Sequence, residues 1–382
     1  MHKKKNTAFD EKNNETLVVR KFLLAIGLMF PLVGVSSKGS KLKADEYVMF
    51  LPDIAYQNSD GKIYAGIQGW VYEKQHRRGF TPLLALFLGI EMSKLKPSQR
   101  RQLYERTQLF RVDSERGKHL MIKDQENKIF DLPITRSNGR TSALISVNLS
   151  KNHPLTHDEP KQIIFNLHDS GTPAHADHAV AFYAPPTGLS VISDIDDTIK
   201  ESSVSSTKRL LINTFLEDFT PVEGMNKLYQ SLNKDGLTSF HYVSSSPIQL
   251  YPVLIDFMNQ SGYPRGTMHL REATRWTDII ARSKSAISHK NKAIERILNA
   301  YPKRKFILIG DSGENDPLIY ADFMRRYPEQ TCAIIIHDVN KNKTLDHFKA
   351  LFSGLHTDKW LVTNSVHEME EFVNKIKNLH KI

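Results

Sequence analysis

The sequence predicts an α/β protein whose second half forms a doubly wound parallel sheet, preceded by a β-rich domain built as a sandwich or barrel. Three observations support this fold class. Apolar strands alternate with periodic helices after residue 187, as in parallel α/β sheets. Polar residues cluster directly after three of those strands. Between residues 45 and 186 the apolar segments are short and are separated by turn residues, which is typical of sandwiches and barrels.

The length of 382 residues exceeds one ordinary hydrophobic core and therefore predicts more than one domain. We expect a leader over residues 1–44, the β-rich domain over 45–186 and the α/β domain over 187–382. The Pro-Pro-Thr-Gly run at residues 185–188 is a strong turn signal and marks the expected boundary.

The leader combines basic residues with an apolar stretch at 22–35 and with small residues at positions 34, 36 and 37. This pattern is typical of a secretory signal peptide, and the stretch is shorter than the ~20 residues of a membrane-spanning helix. We therefore expect export or attachment to a membrane. If the leader is instead a disordered segment followed by a buried or interfacial helix, the protein is cytoplasmic.

The formal net charge of +10 favours acidic partners such as anionic lipid, phosphorylated substrates or nucleic acid, and charge alone does not choose among them. No stacking aromatic motif supports nucleic-acid binding, so we expect none. Cys332 is the single cysteine, which excludes an intrachain disulfide and a zinc-thiolate site. Its apolar surroundings predict a buried structural residue.

The β-rich domain is predicted from short apolar segments. The run at residues 63–72 alternates imperfectly around Gly66 and Gly69, which indicates a strand with a close backbone approach. Two helices follow, one at 83–90 after a Thr-Pro start and one that ends near Phe110. The remaining predicted strands are 109–112, 119–122, 129–132, 143–149, 163–167 and 179–183.

Two features of this domain invite a functional interpretation. Five possible metal ligands lie close in sequence, but the Gly-Thr-Pro run at 171–173 indicates a loop, so a solvated hairpin tip is preferred to a metal site. The helix at 83–90 is apolar enough to enter a membrane surface, although burial against the sheet is the preferred interpretation. The five possible ligands are His168, Asp169, His175, Asp177 and His178.

The second domain alternates strands and helices in the order expected for a parallel sheet. Ligands bind such sheets at the carboxyl ends of the strands. Residues 194–197, 244–246 and 310–316 all fall at these ends, so we expect them to meet at one edge. Strands are predicted at 189–193, 238–243, 267–270, 306–309, 332–337 and 360–362, and helices at 207–215, 222–234, 247–260, 284–301, 316–327 and 366–379.

Three carboxylates, those of Asp194, Asp196 and Asp197, lie within four positions after the first strand of this sheet. Like charges this close repel one another unless a cation neutralises them. The pattern therefore predicts a bound cation, and a divalent metal is the natural choice.

Four ordered motifs resemble those of the haloacid dehalogenase superfamily of phosphotransferases. The residues at 194–198, Asp-Ile-Asp-Asp-Thr, match its DxDxT signature, and 310–316 resembles its GDxxxxD metal motif. Ser244 stands where the superfamily has its second-motif Ser or Thr, and Lys290 fits the third-motif lysine. The resemblance implies a haloacid dehalogenase-like, Rossmann-like catalytic domain.

Within that superfamily, the segments 193–200, 241–247 and 289–290 are similar to the catalytic domain of the actin-patch-associated phosphatidate phosphatase family. The resemblance implies that Asp194 is the nucleophile and forms an aspartyl-phosphate. It implies that Asp196 protonates the leaving oxygen and later activates water.

The resemblance also implies how phosphate and metal are held. Ser244, Ser245 and Lys290 would bind the substrate phosphate, and Ser246 would cap the helix expected to begin at Pro247. Thr198 and Asp197 would orient the loop. Mg²⁺ would be held by Asp194, the carbonyl of Asp196, Asp311 and Asp316, although Asp316 could equally be only a helix cap before Pro317.

We therefore expect a Mg²⁺-dependent phosphatidate phosphatase that acts on phosphatidate or another anionic lipid phosphate at a membrane surface. The span from Thr198 to Ser244 is too short for a large cap, which favours a bulky or membrane-held substrate. The basic run at 265–292 suits an anionic lipid surface, or is a solvated face. The alternatives are the same chemistry on a soluble or protein phosphomonoester, and a membrane- or protein-binding module with a vestigial fold.

Overall fold

The first sheet is built around its longest strand, β3. The computed structural model describes residues 39–75, 80–147, 161–204, 206–272, 284–339 and 344–380. β3 pairs antiparallel with β1, β2, β4 and β7, and β10 joins β2 to β8. The β-rich first region is therefore confirmed. Its strands are β1 (Glu46–Leu51), β2 (Asp53–Gln57), β3 (Ile63–Lys74), β4 (Val112–Ser114), β5 (Met121–Lys123), β6 (Ile129–Asp131), β7 (Arg140–Val147), β8 (Lys161–His168), β9 (His175–Ala176) and β10 (Ala179–Tyr183).

Two glycines of β3 let neighbouring side chains reach its backbone. A Cβ at Gly66 would lie 2.5 Å from Oδ2 of Asp53 and 2.7 Å from Nη2 of Arg296. A Cβ at Gly69 would lie 3.1 Å from the ring of Phe50. The close approach that the sequence predicts is present at both positions, and at Gly66 it admits an ion pair between Asp53 and Arg296.

Helices α1 (Phe80–Leu88) and α2 (Pro97–Gln108) follow β3. Leu84 and Leu88 of α1 are buried in a cluster with Leu103 of α2 and with Leu211 of the later helix α3 (Thr207–Phe215). The predicted burial of α1 against the sheet is therefore wrong, because its buried side packs on helices. Within the described ranges no helix is both long and apolar enough to cross a membrane. The apolar leader stretch at 22–35 lies outside those ranges.

The predicted hairpin with several possible metal ligands carries local ion pairs. Nζ of Lys41 lies 2.9 Å from Oδ1 of Asp169, and Nε2 of His175 lies 2.8 Å from Oδ1 of Asp177. Both pairs are largely exposed to solvent.

The second sheet is parallel throughout its described strands, with the order β13-β12-β11-β14-β15-β16. An α/β region with a parallel sheet is thus confirmed. β11 lies inside the sheet, and Cys332 is buried in β15 as predicted. The strands are β11 (Leu189–Ser193), β12 (Ser239–Pro247), β13 (Thr267–Arg271), β14 (Lys305–Asp311), β15 (Thr331–His337) and β16 (Trp360–Thr363).

Helices cover both faces of this sheet. Side chains alternate across a strand, so Val191 and Ile192 of β11 point to opposite faces. Val191 belongs to a buried cluster with α4, α5 and α9, whereas Ile192 belongs to a cluster with α6, α7 and α8. The bounds are α4 (Met225–Leu232), α5 (Tyr251–Gln260), α6 (Lys284–Ala300), α7 (Asp316–Arg326), α8 (Leu345–Leu351) and α9 (Val366–His380).

The two sheets share buried contacts. Met49, Leu51 and Trp70 of the first sheet belong to the same buried cluster as Val191. Residues 39–382 form one compact unit. The domain boundary at residue 187 stays a prediction.

Arg304 fixes the segment that joins the sheets. Its buried guanidinium donates to the carbonyls of Pro185, Thr187 and Leu189 and to Oγ of Ser190. Burial lowers the pKa of Arg304 to about 10, so the side chain remains charged at neutral pH. The carbonyl dipoles supply the acceptors that a buried cation requires.

Candidate active site

The loop after β11 supplies two carboxylates of the candidate site. β11 is buried along its length and lies between β12 and β14. The amide of Asp194 donates to the carbonyl of Ile309 at 2.9 Å, which continues the pairing of β11 with β14 for one more residue. The side chains of Asp194 and Asp196 are both buried at the carboxyl edge of the sheet, as the sequence predicts.

Lys290 of α6 places a buried ammonium among three carboxylates. Its Nζ lies 2.9 Å from Oδ1 of Asp194, 2.6 Å from Oδ1 of Asp316 and 3.0 Å from Oε2 of Glu314. Burial lowers the pKa of Lys290, but these carboxylates outweigh it and raise the pKa well above its usual value. Lys290 is therefore charged, and it lies beside Asp194 as the sequence-based interpretation requires.

Asp194, Asp311 and Glu314 form a cluster that suits a hard cation. One oxygen of each side chain lies within 4.8 Å of the others. Oδ2 of Asp194 and Oδ2 of Asp311 are buried and accept no hydrogen bond in the described part of the chain. Mg²⁺ prefers such oxygen ligands, so the residues present fit the predicted ion. Sequence reasoning missed Glu314, although it lies inside the 310–316 motif.

The electrostatics of the cluster favour an added positive charge. Burial raises the pKa of Asp194 well above its usual range, and Lys290 only partly offsets this. Burial and the neighbouring Asp316 and Glu314 raise the pKa of Asp311 in the same direction. A cation bound between these side chains would lower the cost of ionising them.

Asp316 supports Lys290 and lies outside the three-carboxylate cluster. Its carboxylate accepts from Nζ of Lys290 at 2.6 Å and from the amide of Asp311 at 3.4 Å. A Cβ at Gly310 would lie 2.5 Å from Oδ2 of Asp316, so this glycine provides the space for the carboxylate. Asp316 is the first residue of α7, and Asn315 occupies the cap position that sequence reasoning offered for Asp316.

Asp196 is held by a separate set of donors. Its Oδ1 lies 2.8 Å from Nζ of Lys200 and accepts from Oγ of Ser202 at 2.6 Å. Its Oδ2 accepts from Oγ of Ser246 at 2.6 Å and from Oγ of Ser244 at 3.4 Å. Sequence reasoning assigned no role to Lys200, although it ends the family-like segment 193–200, and Ser202 lies outside the motifs.

The two aspartates of the DxDxT motif have opposite proton affinities. Burial raises the pKa of Asp196, but Lys200 and the serine hydroxyls outweigh burial and lower the pKa to about 2. Asp194 has a raised pKa. The raised pKa therefore belongs to the proposed nucleophile, and the lowered pKa belongs to the proposed acid.

Asp197 shapes the loop that carries Lys200 and Ser202. Its backbone has φ 56°, in the left-handed region, which is uncommon for a residue other than glycine. Its carboxylate accepts from the amides of Ser202, Ser203 and Val204, each at 2.7 Å. Asp197 therefore fixes the turn, whereas the hydroxyl of Thr198 has no hydrogen-bond partner among the described residues.

A bulge at the end of β12 directs its serines. The pairing of β12 with β13 shifts register between Ser244 and Pro247, and bulges of this kind re-aim side chains. Oγ of Ser244 accepts from the amide of Ser246, and Nε of Arg271 donates to the carbonyl of Ser245. Helical structure begins one residue after the predicted start at Pro247, because a 3-10 helix over Ile248–Leu250 leads directly into α5. Pro247 rather than Ser246 occupies the cap position of this 3-10 helix.

A family comparison bears directly on this edge of the sheet. Residues 189–338 match the family described as phosphatidate phosphatase APP1, catalytic domain. This segment is therefore similar to a family of phosphatase catalytic domains. The match begins at β11 and includes each predicted site residue from Asp194 to Asp316.

Two curated fungal proteins are similar to a longer part of the chain. Phosphatidate phosphatase APP1 of Saccharomyces cerevisiae is 32% identical over 263 residues, which cover 65% of this chain and 44% of that protein. An uncharacterized protein of Schizosaccharomyces pombe is 33% identical over 156 residues, which cover 40% of this chain and 25% of that protein. The matched regions thus span less than half the length of either relative.

One solved structure aligns with most of the chain, but the similarity is too low to assign a fold. A family two carbohydrate esterase from Cellvibrio japonicus aligns over 85% of this chain and 96% of its own, with 8% identity and a TM-score of 0.20. A TM-score this low does not establish a shared fold.

Proposed function

We propose that this chain is a Mg²⁺-dependent phosphatidate phosphatase with a haloacid dehalogenase-like catalytic domain, which hydrolyses phosphatidate to diacylglycerol and phosphate. The observation that carries the proposal is the buried Asp194 carboxylate. Lys290 holds one oxygen at 2.9 Å, and the other oxygen accepts no hydrogen bond among the described residues. An unpaired carboxylate oxygen at the carboxyl edge of a parallel sheet is suited to nucleophilic attack. The APP1 catalytic-domain match supports the substrate class.

Phosphoryl transfer requires neutralisation of the phosphoryl oxygens and an in-line nucleophile. We infer that Asp194, Asp311 and Glu314 hold Mg²⁺, with the carbonyl of Asp196 and the side chain of Asp316 as further predicted contributors. When bound, the ion supplies Lewis-acid stabilisation of the transferring group. Lys290 neutralises charge beside Asp194, and Ser244 with Ser245 holds phosphate oxygens at the end of β12.

The chemistry divides between the two aspartates. Asp194 attacks phosphorus and forms an aspartyl-phosphate, while the bond to the diacylglycerol oxygen breaks. In the second half of the reaction, Asp196, which its low pKa keeps ionised, takes a proton from the attacking water. The first half requires a proton on the same carboxylate.

A membrane surface is the proposed location of the substrate. Three large apolar side chains are exposed around the carboxyl edge of the sheet: Leu318 at 55%, Val339 at 37% and Leu345 at 56%. Lys208 and Arg209 are exposed on α3 beyond the Asp197 loop, and no ion pair to either occurs in the described part of the chain. Exposed apolar side chains together with exposed cations suit an anionic bilayer.

Phosphate release from phosphatidate vesicles tests the chemistry. We expect release with Mg²⁺ and loss of release with EDTA. Asp194→Asn is expected to lower the rate by on the order of 10⁴-fold or more, with an unchanged thermal unfolding curve as the folding control. Retained activity in Asp194→Asn contradicts the nucleophile assignment. Release from soluble phosphomonoesters but not from phosphatidate changes the substrate class, and no release from any phosphate supports a binding module.

Vesicle sedimentation tests the membrane surface. Leu318→Asp combined with Leu345→Asp is expected to weaken binding to vesicles that contain phosphatidylglycerol, while turnover of a dissolved short-chain phosphatidate is retained. Leu237→Asp is the matched control, because Leu237 is 43% exposed just before β12 and so lies at the opposite edge of the sheet. Equal binding by the two variants contradicts the proposed surface.

The leader is the basis for a proposal on localisation. We infer from its basic and apolar composition that it directs export or membrane attachment. Mass spectrometry of the mature N-terminus is expected to show cleavage or a membrane-bound chain. An intact Met1 in a soluble cytosolic fraction contradicts this.

A further inference from the structure

A cavity lies between the two sheets, away from the carboxylate cluster. Its volume is about 590 Å³, and its walls come from β3 and β7 on one side and from β13 and α6 on the other. Ile67 and Leu270 form part of its buried apolar wall, and Leu144 is exposed at its rim. Among the described residues, none of those proposed for catalysis lines this space.

Positive charge predominates in this cavity. Two carboxylates are present among the described lining residues, and one of them is already neutralised: Asp53 accepts from both Nη1 and Nη2 of Arg296 at 2.8 Å. The other, Glu272, accepts from Asn138 at 2.8 Å and is half exposed. The four cationic residues of the lining are Arg136, Arg140, Lys292 and Arg296.

Arg140 is the residue that points to a ligand. Its side chain is 95% buried, yet its Nε and Nη1 have no hydrogen-bond acceptor among the described residues. The Oε1 atom of Glu272 lies 3.7 Å from Nε, beyond hydrogen-bond distance. Burial lowers the pKa of Arg140 to about 10, so the group is still a cation at neutral pH. A buried cation whose donors lack hydrogen-bond acceptors is costly and favours the binding of an anion.

We propose that this cavity binds a phosphate-bearing anion at a site separate from the catalytic carboxylates. The guanidinium groups of Arg136 and Arg140 present planar donor pairs that match phosphate oxygens, and Lys292 adds a point charge from α6. An anion held between these residues connects β7 to the helix that carries Lys290. The site does not depend on the proposed reaction, because its binding is measured without turnover.

Thermal unfolding with inorganic pyrophosphate in EDTA tests the site. EDTA removes divalent cations, so the carboxylate cluster repels the probe. We expect the unfolding temperature of the wild-type protein to rise by about 5 °C at saturation. Arg136→Gln combined with Lys292→Gln should lose most of this rise, and both side chains are exposed, so the variant is expected to fold.

Matched controls and a second variant complete the test. Lys227→Gln combined with Lys375→Gln makes the same charge change on α4 and α9, over the opposite face of the parallel sheet, and should retain the full rise. Arg140→Met should abolish the rise without lowering the unfolding temperature of the free protein. An equal response of the cavity variant and its control overturns the proposal.

Vesicles distinguish the two sources of phosphate. Phosphatidylcholine vesicles with 20% phosphatidate, in EDTA, present the same group on a lipid. Binding that is lost in the Arg136/Lys292 variant but kept in the Lys227/Lys375 control assigns a lipid headgroup, and a pyrophosphate rise without such binding assigns a free anion. If the Arg136/Lys292 variant and the Lys227/Lys375 control bind vesicles equally and also show an equal thermal response, neither a lipid headgroup nor a free anion binds in this cavity.

Discussion

Nζ of Lys290 lies 2.9 Å from Oδ1 of Asp194, and both side chains are buried. The same ammonium also contacts Asp316 and Glu314, so one cation joins the loop after β11 to the loop after β14. The position of the proposed nucleophile therefore depends on a residue almost a hundred positions later in the chain.

Lys290→Met should impair both catalysis and folding. Activity is expected to fall by about 10²- to 10³-fold, because charge beside the reacting carboxylate is lost. Stability is expected to fall by roughly 3–5 kcal/mol, since Asp316 and Asp194 lose a buried partner. Initial rates on dissolved substrate and urea unfolding measure the two effects. Lys375→Met, on the exposed side of α9, is the control, and equal behaviour of the two variants would refute the role.

Glu314→Gln and Asp316→Asn should differ in their Mg²⁺ dependence. Glu314 belongs to the three-carboxylate cluster, so its change is expected to raise the Mg²⁺ concentration for half-maximal activity by about 10- to 100-fold. Asp316 accepts a hydrogen bond from Lys290. Asp316→Asn is therefore expected to lower kcat, with a smaller increase in the Mg²⁺ concentration for half-maximal activity. Activity titrations with Mg²⁺ measure both, and the reverse order would assign Asp316 to the metal.

Gly66→Ala should destabilise the junction of β3 with α6. The added Cβ would meet Asp53 and Arg296, and separating this pair leaves a buried carboxylate unpaired. We expect a loss of roughly 3 kcal/mol in the free energy of unfolding. If the effect depends on the ion pair, Gly66→Ala should lower the free energy of unfolding by much less when Arg296 is already replaced by methionine. Additive losses in this double-mutant cycle would contradict the explanation.

His269 should make the fold sensitive to acid. Burial lowers the pKa of His269 from its usual value of 6.5 to about 4. Nearby Arg296 and His289 act in the same direction, and Asp53 offsets only part of the decrease. Between these values the unfolded chain binds a proton that the folded chain does not, so stability falls as the pH drops from 6.5 towards 4. At pH 5 the loss is about 2 kcal/mol.

Urea unfolding of the wild-type protein and His269→Gln at pH 7.5 and pH 5 measures this. The variant is expected to lose less stability between the two pH values. An equal loss would assign the acid sensitivity to other groups, such as the buried His241.

Most strands and helices of the second half follow closely from sequence periodicity, whereas several elements of the chain, among them β1, β2 and α8, do not. β1 is buried on both sides, so residues 46–51 lack the alternation that indicates a strand. β2 follows it after a single residue and shares the same apolar run. α8 is seven residues long with Phe348 as its buried side chain, which is too little for a helical period.

The site was predictable where motifs mark the ends of strands. Asp194 and Asp311 lie at the ends of β11 and β14, so their approach follows from the order of the strands. Lys290 lies on α6 and was identified through the family resemblance. Lys200 and Ser202 approach Asp196 through a left-handed turn at Asp197. Such a turn depends on loop hydrogen bonds, which have no sequence period.

Arg304 bears on how the molecule can be divided. The family match begins at residue 189, yet two of the carbonyls that accept from this guanidinium belong to Pro185 and Thr187. A fragment starting at 189 would leave Arg304 with too few acceptors and would expose the side of the sheet that Met49 and Trp70 cover. A region of sequence similarity is therefore smaller than the unit that folds, and a fragment for expression should retain residues from 39 onward.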